Sequence, residues 1–86
     1  MKAVLSLKAY ADLGRMDAAL MEMFWGHVDK VCEMPPRRHL KSSVPYFAEN
    51  VTRQARLACQ VREDCILVIR CFSTHKEYES WLKSFR

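Results

Sequence analysis

Apolar and polar positions along this 86-residue chain change their period several times, and each change predicts an element. The opening MKAVLSL alternates apolar with polar residues, the period of a short strand. From Lys8 to Leu13 the pattern turns helical and then meets Gly14, a residue suited to ending a helix. Asp17 predicts an N-cap. Leu20, Phe24, Val28 and Val31 follow at i, i+4, i+8 and i+11, one face of an amphipathic helix that Gly26 weakens slightly. Pro35 and Pro36 end that helix, because a residue before proline avoids helical dihedrals.

PPRRHLKSS then reads as a loop. Three apolar-rich stretches come next, VPYFAENV, ARLACQV and CILVIRCF, separated by TRQ and RED, which suit tight hairpin connections. The last stretch is almost continuously apolar, as expected of a strand covered on both faces. In THKEYESWLKSFR, Thr74 with Glu77 three positions on forms a capping box, and Tyr78, Trp81, Leu82 and Phe85 can face inward. The order β-α-α-β-β-β-α predicts an α+β fold: one domain over residues 1–86, with two N-terminal helices packed on a small antiparallel sheet.

The hairpin has a consequence for charge. With RED as a three-residue loop, Val61 faces Cys65, Cys59 faces Leu67 and Leu57 faces Ile69, an apolar side. The other side pairs Gln60 with Ile66, Ala58 with Val68, and Arg56 with Arg70. Directly opposed like charges destabilise a sheet unless water, an acid such as Glu49 or Glu63, or a bound anion separates them. A two-residue loop would instead set Arg56 opposite Cys71, so the pairing depends on register.

Composition narrows the class. Half the residues are hydrophobic, enough for a core in one domain, and no apolar run approaches the roughly 18 residues that span a bilayer. MKAVLSLKAYADLG has too short an apolar run for a secretory signal. Cys32, Cys59, Cys65 and Cys71 form no CxxC pair, so they read as small core residues in a reduced compartment, hence the cytoplasm, rather than as a metal site. Residues 1–34 carry four Lys/Arg against five acids, a net of −1, and residues 35–86 carry ten against five, a net of +5. A basic half favours phosphate-bearing partners.

The stretch ARLACQVREDCILVIRCFSTHKEY resembles the C-terminal half of the RelE superfamily of bacterial toxins. There an Arg-Leu opens one strand, an acidic turn follows, and an apolar strand ends in a polar cluster. IRCFSTHKEYESW is most similar to the HigB branch, where an Ile-Arg strand leads to Thr-His-x-Glu-Tyr, and HLKSSVPYF resembles the Leu-Lys segment before the second strand. The resemblance implies a toxin of a type II toxin–antitoxin system, an mRNA interferase that cuts messenger RNA on the ribosome and is held inactive by a cognate antitoxin. It implies metal-independent transesterification, in which the ribose 2′-hydroxyl attacks the adjacent phosphate. That chemistry needs a proton acceptor, a proton donor and cations on the phosphorane.

By the same resemblance Arg56 would stabilise the transition state with a guanidinium fork, His75 would act as acid or base, and Tyr78 would stack on or orient the RNA. Arg37, Arg38, Lys41, Arg70 and Lys76 would hold phosphates. The chain departs from the pattern at Ala48, Glu49 and Asn50, where many members are basic, and at Ser42 and Ser43, where a glycine is frequent. Glu49 is an alternative base. His39 reads as an exposed loop residue, His27 as structural, and Met21, Met23, Phe24 and Trp25 as core. Two rivals stand beside this reading: a non-catalytic module on the same fold that poisons gyrase or inhibits a host complex, and a basic RNA-binding accessory protein that cuts nothing.

Overall fold

The computed structural model describes residues 1–34 and 46–84. Its elements are β1 (Lys2–Leu5), α1 (Leu7–Gly14), α2 (Ala18–Glu33), β2 (Phe47–Asn50), β3 (Arg56–Val61), β4 (Cys65–Phe72) and α3 (His75–Lys83), the order expected of the α+β reading. The sequence capped its helices locally. Ala9 N–H donates to the Ser6 hydroxyl at 3.0 Å, Leu20 N–H to the Asp17 carboxylate at 2.8 Å, and Glu77 N–H to the Thr74 hydroxyl at 3.1 Å. Gly14 is the last residue of α1, where the pattern set the stop, but it does not turn left-handed. The helix runs through it to an Arg15 cap with φ −92°, closed by Arg15 N–H on the Asp12 carbonyl.

The strands lie in the order β1-β4-β3-β2, and the sheet is mixed rather than purely antiparallel: β2, β3 and β4 pair antiparallel while β1 runs parallel to β4. A parallel partner needs a crossover, and α1 with α2 begins it. β4 is therefore covered on both edges, and its apolar run follows from that.

Helices cover both faces of the sheet. Phe24, Val28 and Val31 of α2 and Ala9 and Leu13 of α1 pack on Leu57, Cys59, Ile66 and Val68. The opposite face carries Tyr46, Ala58 and Phe72, against which Tyr78, Trp81 and Leu82 of α3 pack at helical spacing. Phe85 lies outside the described residues. Met23 and Trp25 are not core: they are 51% and 39% exposed, on the solvent side of α2, because only every third or fourth position of that helix meets the sheet. Burial pushes the Cys59 and Cys71 thiols up to about 12, which keeps them protonated and apolar in the core.

The hairpin register differs from the three-residue expectation. Val61 pairs with Ile66, Gln60 with Leu67 and Cys59 with Val68, the register of a tighter turn. Then Ala58 pairs with Arg70, and Ile69 is left as an extra residue on β4. That bulge moves Arg56 opposite Phe72, so the two arginines are not a directly opposed pair.

Arg70 has an acidic partner that neither Glu49 nor Glu63 supplies. Asp12 of α1 is only 4% exposed and receives Arg70 Nε at 2.7 Å, Arg70 Nη2 at 3.0 Å, Arg15 Nη2 at 2.7 Å and the Cys71 N–H at 2.9 Å. β1 ends at Leu5, opposite Val68, and the edge of β4 beyond it is then satisfied by Ser6 N–H on the Val68 carbonyl, the Ser6 hydroxyl on the Ile69 carbonyl, and Asp12 on Cys71. Removing one partner of such a buried pair costs about 3–5 kcal/mol. Asp12→Ala is accordingly expected to lower unfolding free energy by roughly that amount in urea titrations, with Arg15→Ala, on an exposed side chain, costing under about 1 kcal/mol. Equal losses in the two variants would contradict this assignment.

Candidate functional site

β3 and α3 begin side by side, because Arg56 pairs with Phe72 and the chain enters α3 three residues after Phe72. Strand alternation places Arg56 on the same face as Ala58, the face that α3 covers. Its Nη1 donates to the carbonyls of Thr52, Arg53 and Ala55 at 3.0–3.1 Å, so the 51–55 connection fixes the guanidinium. This is the device that lets an arginine at a strand end stay in one orientation: the loop turns its carbonyls inward and the fork inherits their geometry.

His75 is the first residue of α3 and its ring is 45% exposed. Nε2 lies 3.5 Å from the Glu79 carboxylate one turn on, while Nδ1 is turned inward with no hydrogen-bond partner among the described residues. A carboxylate beside Nε2 favours a proton there and leaves Nδ1 as an acceptor. Tyr78 follows at one helical turn, its ring 6.2 Å from His75 and edge-on to Phe72 at 5.8 Å. Burial raises the Tyr78 phenol and the nearby Arg56 guanidinium opposes the rise, so the hydroxyl stays protonated across the neutral range. Behind it, Tyr46 is buried and pushed up to about 12, with Tyr78 adding to the effect of burial.

Arg56, His75 and Tyr78 thus come together. Arg70 and Lys76 do not join them; they line an open cleft on the other flank of α3, with Phe72, Glu77, Ser80, Trp81 and Ser84. Arg70's fork is bound to Asp12, and its guanidinium carbon sits 5.1 Å over the Phe72 ring. Arg37, Arg38, His39 and Lys41 lie outside the described residues. Glu49 pairs with Leu57 across β2–β3 and so points to the α2 face, where its carboxylate is 3.8 Å from His27. It is on the far side of the sheet from His75, which removes it as the alternative base. The residue that sequence reading missed is Asp12. Its signal was a carboxylate between Ala9 and Leu13 on the apolar stripe of α1.

Among the described residues, no group of three His, Cys, Asp or Glu side chains is placed to hold a metal ion, and no helix is long and apolar enough to cross a membrane.

Comparison with protein-family models gives no match, and comparison with curated protein sequences gives none either. Solved structures do match. A YoeB/ParE toxin from Agrobacterium tumefaciens superposes with a TM-score of 0.70 at 23% identity, over 83% of this chain and 95% of that one. The E. coli RelBE toxin–antitoxin complex gives 0.69 at 16% identity, over 81% and 92%. The RelB–RelE antitoxin–toxin complex from Methanococcus jannaschii gives 0.68 at 12% identity, over 91% and 96%. Over its described residues the chain has the fold of these RelE-type toxins, three helices and a four-stranded mixed open sheet.

The start of α3 carries a pH dependence. The Glu77 carboxyl is held below its ordinary value near 4.5, first by the Ser73 hydroxyl at 2.8 Å, with burial opposing and Thr74 adding to the lowering. A lowered carboxyl stabilises the fold above its unfolded value and loses that contribution as pH falls through the folded one. The thermal midpoint of the native chain should therefore fall more steeply than that of Glu77→Gln as pH drops below about 4.5. Parallel curves would show that the carboxylate contributes nothing to the cap.

Proposed function

We propose that this chain is the toxin of a type II toxin–antitoxin pair and that it cleaves messenger RNA on the ribosome by metal-independent transesterification. The observation that carries the reading is the meeting of Arg56, His75 and Tyr78 at the start of β3 and α3, on a fold shared with YoeB and RelE toxins. The likeness of the run Ile69-Arg70 into Thr74-His75-x-Glu77-Tyr78 to the HigB branch supports placing it there.

In the reaction the 2′-oxygen loses its proton and bonds to the adjacent phosphorus, the bond to the 5′-oxygen breaks, and that oxygen takes a proton. The products are a 2′,3′-cyclic phosphate and a free 5′-hydroxyl. His75 is the group suited to move one of those protons, since an imidazole carries one nitrogen that can accept a proton and one that can donate it. Arg56 meets the charge that develops on the phosphorane oxygens, and a guanidinium already fixed by three carbonyls loses little freedom in doing so. Tyr78, protonated, donates a hydrogen bond to the same phosphate or stacks on the neighbouring base. Arg37, Arg38 and Lys41 are assigned to flanking phosphates, and the site of action is the bacterial cytoplasm, where the ribosomes are.

The antitoxin must neutralise the basic half, in which ten Lys/Arg face five acids over residues 35–86. Its contacts are expected to fall there, and a purified complex contacting residues 1–34 alone would contradict the assignment.

Arg56→Ala and His75→Ala are each expected to abolish growth arrest on induction and to slow RNA cleavage by about 100-fold or more, with circular dichroism unchanged. Full toxicity in both variants would overturn the catalytic assignment. Intact messenger RNA alongside DNA damage in expressing cells would transfer the protein to the gyrase-directed class.

A further inference from the structure

An open cleft of about 490 Å³ lies between α3 and the sheet, on the flank of α3 away from His75. Its walls combine features that one ligand class uses together. Trp81 supplies an aromatic wall, Arg70 and Lys76 supply cations, Ser80 and Ser84 supply hydroxyls, and Glu77 supplies a carboxylate. We propose that this cleft is a nucleotide subsite for single-stranded RNA, taking the nucleotide next to the cleaved linkage with its phosphate on Arg70 and Lys76 and its base against Trp81. This rests on the ribonuclease reading above.

Charge selects the occupant. Asp12 and Glu77 stand against Arg15, Arg70 and Lys76 around the cleft and beneath it, a balance of two acids to three cations. Asp12 takes only two of the five N–H donors of the Arg70 guanidinium, Nε–H and one on Nη2, so the group is positioned by its acid without being exhausted by it. The Phe72 ring lies 5.1 Å beneath the guanidinium carbon and supports it, leaving the remaining N–H donors for a phosphate. Glu77 would repel a phosphate. Its carboxylate is kept ionised by the Ser73 and Thr74 hydroxyls, so it fits the N–H donors on the edge of a base instead.

Spacing fits as well. The cleft and the Arg56–His75 pair are separated by the width of one helix, ~10 Å, which a strand crosses in one or two nucleotides. The ring of Tyr78 packs between Phe72 and Trp81, at 5.8 and 6.4 Å, and joins the two sites through one aromatic cluster.

The test is fluorescence of Trp81 in the full chain carrying Trp25→Phe, which leaves a single tryptophan. The probes are nucleoside 5′-monophosphates and a 2′-O-methyl RNA tetramer, which cannot be cleaved. Both should quench Trp81. Ser80→Glu, on an exposed position of α3, should weaken binding about tenfold, the loss of one stacked base. Lys76→Gln should reduce the salt slope for the tetramer by about 0.7, one phosphate's share for a single strand.

No quenching, or equal quenching in both variants, would overturn the subsite. So would quenching by an acidic peptide but by no nucleotide. RNA cleavage without any binding in the cleft would sink this inference alone. Binding in the cleft by a chain that cleaves nothing would support it and sink the ribonuclease reading.

Discussion

One buried carboxylate fixes the geometry from which the rest follows. Asp12 sits on the inner face of α1 and collects Arg70, Arg15 and the Cys71 N–H within 2.7–3.0 Å. β1 is too short to pair the whole of β4, and a buried N–H without a partner costs about 1–3 kcal/mol. Asp12 replaces the missing strand at that point and carries a compensating charge pair with it. The same contact decides where β4 may bulge. Ile69 is the unpaired residue, its carbonyl is taken by Ser6, and Arg70 is then held sideways by Asp12 rather than extended toward Arg56.

From that anchor the site is assembled by short steps. The bulge sets Arg56 opposite Phe72, and Phe72 is the floor on which Arg70, Tyr78 and Trp81 rest. The capping box at Thr74 and Glu77 then starts α3 where His75 stands beside the opening of β3. An arginine expected to bind RNA directly is therefore structural on one edge, while Arg56, the arginine proposed for catalysis, is braced by its own loop. Two arginines with the same formal charge have separate work because one has a buried acid within reach.

Local features were legible in the sequence, and long-range ones were not. The caps at Asp17 and Thr74, the apolar stripe of α2 and the continuous run of β4 depend on neighbours a few positions away, and each lies where the pattern put it. The Asp12–Arg70 pair spans 58 positions, and nothing in the local pattern around either residue names the other. The register failed for a similar reason. The turn is one residue tighter than RED suggests, which shifts the pairs next to it, and the bulge at Ile69, which leaves no trace in an apolar run, shifts the pairs beyond by one more. Gly14 is the last residue of α1, as the pattern placed it, although the close on Arg15 uses no left-handed residue. Met23 and Trp25 misled because hydrophobicity alone does not say which face of α2 meets the sheet. Glu49 could be placed on either face until the pairing with Leu57 was known.

The division of labour between the two arginines is the claim on which the functional reading turns. A crystal structure of the chain with a 2′-O-methyl RNA spanning the site tests it most directly. The expected result places one phosphate within about 3 Å of both the Arg56 guanidinium and the His75 ring, while Arg70 keeps its two contacts to Asp12. A phosphate gripped by Arg70 after it has left Asp12, or an RNA seated on a surface that includes neither Arg56 nor His75, would contradict it.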